Sequence, residues 1–387
     1  MKNLVSLFIL FSILLIAADA SAIPAFARKY NMSCNVCHTV FPKLKPYGEE
    51  FAANGFQIPD KEPSRFYKKT GDDLLTLMRE LPLALRFELY GTYENNSPAN
   101  TDFKTPYYLK LMSGGNIYKD ISYYVYFYLA ERGEIAGIED AFVMFNDVFS
   151  KNVDLDMYVG QFQVSDPLFK RELRLEQEDY KIYTSTPGRS LVNLKYDRGL
   201  IFAYGAPTKT DLTLEVVNGS GIHTTDIFDV DKYKNVMVRA SQEIAPFLRV
   251  GAFGYYGKEQ PEADSSANEM YMAGADLTAG NEYVELNAQY VYRSDSNPYR
   301  VSGTSGTRAL TRGGFAELVV SPKGADSRLT GHLLYNYVDS DQSSLNYQSY
   351  TGGVSYLISR NFKVIGEYTY IQDNKDSKVT LGFVTAF

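Results

Sequence analysis

The chain has 387 residues, with 39 Lys and Arg against 46 Asp and Glu for a net charge of −7, a balance that argues against nucleic acid as a partner. Its 32 Tyr, 23 Phe and 29 Gly with no Trp are unusual for a soluble enzyme, and beyond the N-terminus no apolar run approaches the roughly 20 residues of a membrane helix. With two Cys and three His, a disulfide-built scaffold and a tetrahedral zinc centre are both short of ligands.

Lys2 precedes an apolar run from Leu4 to Ile16, and Ala20-Ser21-Ala22 follows it. This is the layout of an export signal, expected to span 1–22 and to be removed. A membrane anchor is the alternative, although the run is short for one.

Cys34-Asn35-Val36-Cys37-His38 comes next. That spacing suits c-type haem attachment, because two thiols reach the two vinyl groups while the adjacent imidazole ligates iron. Cys34 and Cys37 are the candidate thioether residues, His38 is the candidate proximal ligand, and one covalent haem c is the expected cofactor. A thioredoxin-type pair would want a βαβ setting that is absent, and a structural disulfide rarely closes so short a loop; a redox or structural disulfide is the remaining alternative.

Residues 23–80 read as a small separate unit. The stretch from Tyr47 to Phe56 predicts a short helix closed by Gly55, with Tyr47, Phe51 and Phe56 available either for a porphyrin face or for an ordinary mini-core. So small a unit needs a staple, and the haem would be one.

From Leu83 the period changes to two. Leu83, Leu85, Phe87 and Leu89 alternate with Ala84, Arg86, Glu88 and Tyr90, as in a strand with one oily and one polar face. Similar stretches recur from 105–115 to 362–372, and the chain closes on Val379, Leu381, Phe383, Thr385 and Phe387. The total is about sixteen strands, and an even number suits a bacterial single-chain barrel. Short joints alternate with long polar ones, so both barrel ends are expected in the periplasm and the long loops outside. The fold class expected for 81–387 is thus all-β, an antiparallel transmembrane β-barrel of about 16 strands, with the α-helical haem segment plugging its lumen. A soluble β-sandwich or solenoid is the structural alternative.

The longest interruption, 163–196, carries Lys170, Arg171, Arg174, Arg189 and Lys195 among acidic residues, and is read either as a loop folded inward or as a solvated one. Arg86, Arg198, Arg239 and Arg249 are candidates for the lumen wall. For a distal iron ligand, alternation turns His332 toward the lumen and Met78 lies just before the first strand; an open sixth position is the third possibility. His223 falls in a long outer loop, and Met32 is too close to Cys34 to reach the opposite face.

The run from Ile23 to His38, then Pro42-x-Leu44 and Tyr47-Gly48-x-x-Phe51-x-x-Asn54-Gly55-Phe56, is similar to the front end of the fused monohaem cytochrome–porins, among them outer-membrane Fe(II) oxidases. Gly160-Gln161-Phe162, Tyr196-Asp197-Arg198-Gly199 and Val217-Asn218-Gly219 distantly resemble phosphate-selective porins. The resemblance implies an outer-membrane protein in contact with lipid. It would take electrons from extracellular Fe(II) or another reductant and pass them through the haem to a periplasmic c-type cytochrome. An anion-selective porin with haem as plug or sensor, and a haem-dependent peroxidase, are the alternatives.

Overall fold

The computed structural model describes residues 25–387 apart from 59, 63, 66, 136, 223–227, 230, 261–265 and 302–307. The export signal expected at 1–22, together with His223, lies outside the described residues.

The strands are β1 (Leu83–Glu94), β2 (Thr101–Tyr118), β3 (Ile121–Glu131), β4 (Ile138–Phe145), β5 (Leu155–Gln163), β6 (Tyr196–Ala206), β7 (Thr210–Val217) and β8 (Asn235–Ala245), followed by β9 (Leu248–Glu259), β10 (Asn268–Gly280), β11 (Val284–Asp295), β12 (Ala309–Val320), β13 (Leu329–Ser340), β14 (Tyr347–Ser359), β15 (Phe362–Ile371) and β16 (Asp376–Ala386). Each pairs antiparallel with its neighbours and β1 pairs with β16, giving a closed barrel of 16 strands. Closure leaves no unpaired edge, which a strand wall in lipid requires.

The period-two pattern sets the two faces. In β13, Leu329 and Leu333 are 53% and 57% exposed on the outside, while Thr330, His332, Leu334 and Asn336 are buried inside. Leu381 and Phe383 of β16 and Val354 and Tyr356 of β14 extend the outward apolar surface, as expected of a membrane-spanning barrel. β2 begins at Thr101, earlier than the 105 expected, because the β1–β2 register shifts between Glu88 and Tyr90. This bulge absorbs Pro106, which has no N–H to give to a ladder.

Short joints such as 119–120, 246–247 and 360–361 gather at one rim, and the long connections 164–195, 218–234 and 296–308 at the other. The N-terminal segment enters the lumen from the short-turn rim. It contains α1 (Ala25–Tyr30), a 3-10 turn over Cys34–Val36 and α2 (Pro46–Ala53). Pro46 opens α2, where its missing N–H costs nothing, and Gly55 ends it with φ +67°. Phe51 stacks edge-on with Phe26 at 5.2 Å and with Tyr30 at 5.6 Å, and Phe56 lies flat on Tyr124 of β3 at 5.1 Å. These rings therefore form the segment's own mini-core and its bond to the wall, while Tyr47 stays exposed.

The long connection 164–195 folds inward from the opposite rim and carries α3 (Lys181–Thr184). Tyr180 stacks on Phe315 of β12 at 3.9 Å, Tyr183 donates to Gln289 of β11, and Lys181 N–H donates to Asn336 of β13 at 3.1 Å. Of the two readings of this loop, the inward one describes the molecule.

Candidate functional site

Cys34 and Cys37 are free thiols, the first half-buried and the second buried. The turn that holds them is closed by His38 N–H to Cys34 O at 2.9 Å, and Lys45 N–H returns to Cys37 O at 2.9 Å. Helix α2 crosses this turn at Gly48, where a Cβ would stand only 2.3 Å from Cys37 O. A side chain there would push the helix off the turn.

Thr39 to Lys43 then form a small loop, with His38 bridged to Leu44. Within it, His38 Nδ1 lies 3.0 Å from Pro42 O. A carbonyl can only accept, so Nδ1 carries the hydrogen and Nε2 keeps its lone pair. Burial, with the nearby Arg86 charge, lowers the imidazole to about 4 against the pull of its backbone hydrogen bonds, leaving it neutral at ordinary pH. Burial likewise pushes both thiols up.

The barrel wall grips this loop from several strands. Lys43 Nζ lies 2.9 Å from Glu285 and 3.1 Å from Glu317. Lys363 Nζ donates to Phe41 O at 2.8 Å, and Arg86 sits over the Phe41 ring at 5.1 Å. Asn35 donates to Asp326 at 3.1 Å and Asn146 to Ala53 O at 2.9 Å. Val40 packs with Leu175 of the inward loop and with Val319 and Leu357 of the wall, so plug and loop meet inside the barrel. Between them, Arg86, Glu88, Lys110, Arg171, Glu172 and Arg174 line a remnant of about 30 Å³, room for about one water.

His332 does point into the lumen, 2% exposed. Its Nε2 lies 3.5 Å from Glu367, whereas the ring beside His38 is Phe41. Met78 lines a cavity of about 290 Å³ at the short-turn rim with Lys29, Glu62 and Arg65. Arg86, Arg239 and Arg249 reach lumenal carboxylates, on Glu88, Asp276 and Asp211. Arg198 does not: it shares the outward parity of Leu200, its neighbour Asp197 takes the lumenal place, and its guanidinium sits over Phe228 at 5.2 Å. At the short-turn rim Asp147, Asp154 and Asp156 cluster within 4.8 Å, but Lys151 pairs with Asp147 at 3.0 Å and Asp156 accepts the Asp147 N–H at 2.9 Å. Sequence reasoning passed over Glu367 and Gly353. The signal for the second was a Gly-Gly pair inside a strand, which marks a close approach.

No family model matches the chain, and no curated protein does. Solved structures do. An anion-selective porin from Comamonas acidovorans has a TM-score of 0.58 at 10% identity, over 80% of this chain and 99% of that one. OmpT of Vibrio cholerae, an outer membrane protein, has 0.56 at 9% identity, over 80% and 99%. The outer membrane channel DcaP of Acinetobacter baumannii has 0.55 at 14% identity, over 80% and 97%. The fold is that of outer-membrane porins.

Proposed function

We propose that the chain is an outer-membrane electron-transfer protein that carries one covalent haem c on Cys34 and Cys37, with His38 as proximal ligand. The observation behind this reading is the His38 imidazole, neutral and fixed through Nδ1 on Pro42 O, beside the chain's two free thiols in a segment gripped inside a barrel. Haem c would supply one-electron redox chemistry. The residues do the rest. Cys34 and Cys37 provide the two thioether sulfurs, His38 Nε2 offers the lone pair for iron, and Lys43, Lys363 and the Phe56–Tyr124 stack hold the segment in the lumen.

The position supports a conduit. A bilayer core is roughly 30 Å thick, too far for efficient electron transfer from a group at either surface, and a group within the wall shortens the gap to both sides. With the short-turn rim in the periplasm, electrons would come from an extracellular reductant, Fe(II) first among candidates, and leave to a periplasmic c-type cytochrome. The test is anaerobic addition of Fe(II) to the detergent-purified protein while the haem α-band is watched. Prompt reduction is the expected result; reduction by dithionite alone removes Fe(II) as the donor.

A second reading, an anion-selective porin, is motivated by the porin fold and by the lumenal Arg86, Arg239 and Arg249. Planar-bilayer recording separates the two. The plugged lumen predicts little conductance, and large salt-dependent steps would favour the porin.

A further inference from the structure

The lumen wall holds a second set of donor atoms that haem attachment does not use. His332 of β13 stands opposite Gly353 of β14, and Gly353 stands opposite Glu367 of β15. The three form one row on the inner face. A Cβ on Gly353 would lie 2.3 Å from His332 Nε2, so the missing side chain lets the imidazole lean across the middle strand. Nε2 then comes within 3.5 Å of Glu367 Oε2, the two side chains being 0% and 1% exposed.

Neither His332 nitrogen has a hydrogen-bond partner among the described residues, an arrangement buried polar groups rarely keep. Glu367 is better supplied. Its Oε2 accepts Gln177 N–H at 2.9 Å and its Oε1 accepts Glu178 N–H at 3.3 Å. The same turn of the inward loop brings Glu176, which is 4% exposed. Glu317 faces Glu176 from β12 and is already held by Lys43, and Lys363 faces both Glu176 and Glu367. Glu367, next to the imidazole, thus belongs to a buried network with Glu176, Glu317, Lys43 and Lys363.

We propose that His332 and Glu367 bind a divalent first-row transition-metal ion, whose other positions would be filled by water or by the ion's own donor. Two ligands roughly 2.1 Å from one ion stand about 3.0–3.4 Å apart, close to the 3.5 Å between these two atoms. One imidazole with a carboxylate suits iron, manganese or zinc rather than calcium or magnesium. Val319, the ladder partner of His332, packs on Val40, so the ion lies near the 39–43 loop that follows His38. Use of this site by the electron donor rests on the function proposed above; the site itself does not.

The test uses the full-length protein in detergent, with Co(II) as the probe, in anaerobic equilibrium dialysis followed by ligand-field absorption. One Co(II) per chain is expected, weakened about tenfold or more by His332→Ala, Glu367→Gln or Gly353→Ala. Heat-modifiable gel mobility checks that each barrel is folded, and His332→Gln replaces His332→Ala if that variant is not. The proposal falls if the wild type binds no Co(II), or if the folded His332 variants bind it unchanged. Co(II) binding is read without haem reduction, so failure of the electron-transfer reading leaves this result standing, and the converse also holds.

Discussion

Lys43 on the plugging segment stands 3.1 Å from Glu317 on the barrel wall, and the Glu317 side chain is fully buried. Glu285 completes the pairing at 2.9 Å. Removing one partner of a buried pair leaves the other charge uncompensated, at about 3–5 kcal/mol. Lys43→Ala should therefore loosen the segment while the barrel persists. Limited trypsin digestion would read this as faster cleavage between 61 and 79 with an intact β1–β16 core; unchanged cleavage would show that the pair does not hold the plug.

The inward loop should resist acid. Burial by itself would push the Asp179 carboxyl up, but Arg174 and Arg171 beside it hold it well below the usual carboxylate range. A carboxylate so depressed contributes stability above its unfolded value of about 3.9, and that contribution is lost as pH falls through the lower folded value. The native carboxylate is thus still ionised at pH 3. Hydrogen exchange of residues 171–180 should stay slow at pH 3 and become fast at neutral pH in Asp179→Asn.

Thiol variants test the attachment residue by residue. Cys34→Ser or Cys37→Ser should leave at most one thioether, shifting the α-band of the pyridine haemochrome. The double variant should carry no pigment through denaturing electrophoresis. Gel mobility of the barrel should be unchanged in all three, because neither thiol contributes to the wall.

Gly55→Ala should unseat the segment. The position has φ +67°, and a Cβ there would lie within 2.0 Å of Ser122 Oγ. The left-handed backbone costs a non-glycine residue about 1 kcal/mol, and the clash falls on the β2–β3 rim where Phe56 stacks on Tyr124. A lower melting temperature and earlier proteolysis are expected; a neutral result would mean that the rim yields.

The barrel was legible because a wall between lipid and a filled lumen imposes alternation at nearly every residue. Leu329 and Leu333 against Thr330 and His332 are enough to orient β13. Arg198, by the same alternation, falls with Leu200 on the outer face, and its placement in the lumen does not hold. The Cys34-x-x-Cys37-His38 spacing was visible in the sequence, and the Pro42 contact beside it only in the folded turn. Glu367 and Gly353 were not, since their meaning lies in the register of three strands far apart in the chain. The inward course of 164–195 was one of two readings, because its charges describe a solvated loop as well as a buried network.

The seam of the wall is the β1–β16 pair, tied by Leu85 N–H to Phe387 O at 2.6 Å and by the reverse bond at 2.8 Å. The N-terminal segment ahead of β1 lies inside, Phe41 and Lys43 reaching Lys363, Glu285 and Glu317 on strands from the far half of the chain. Biogenesis is therefore a question of order. On the function proposed above, the prosthetic group would have to be attached while the segment is still outside, and the cylinder would close around a finished cargo. A chain whose attachment fails would present the assembly machinery with the same sixteen strands and close around an unfilled segment.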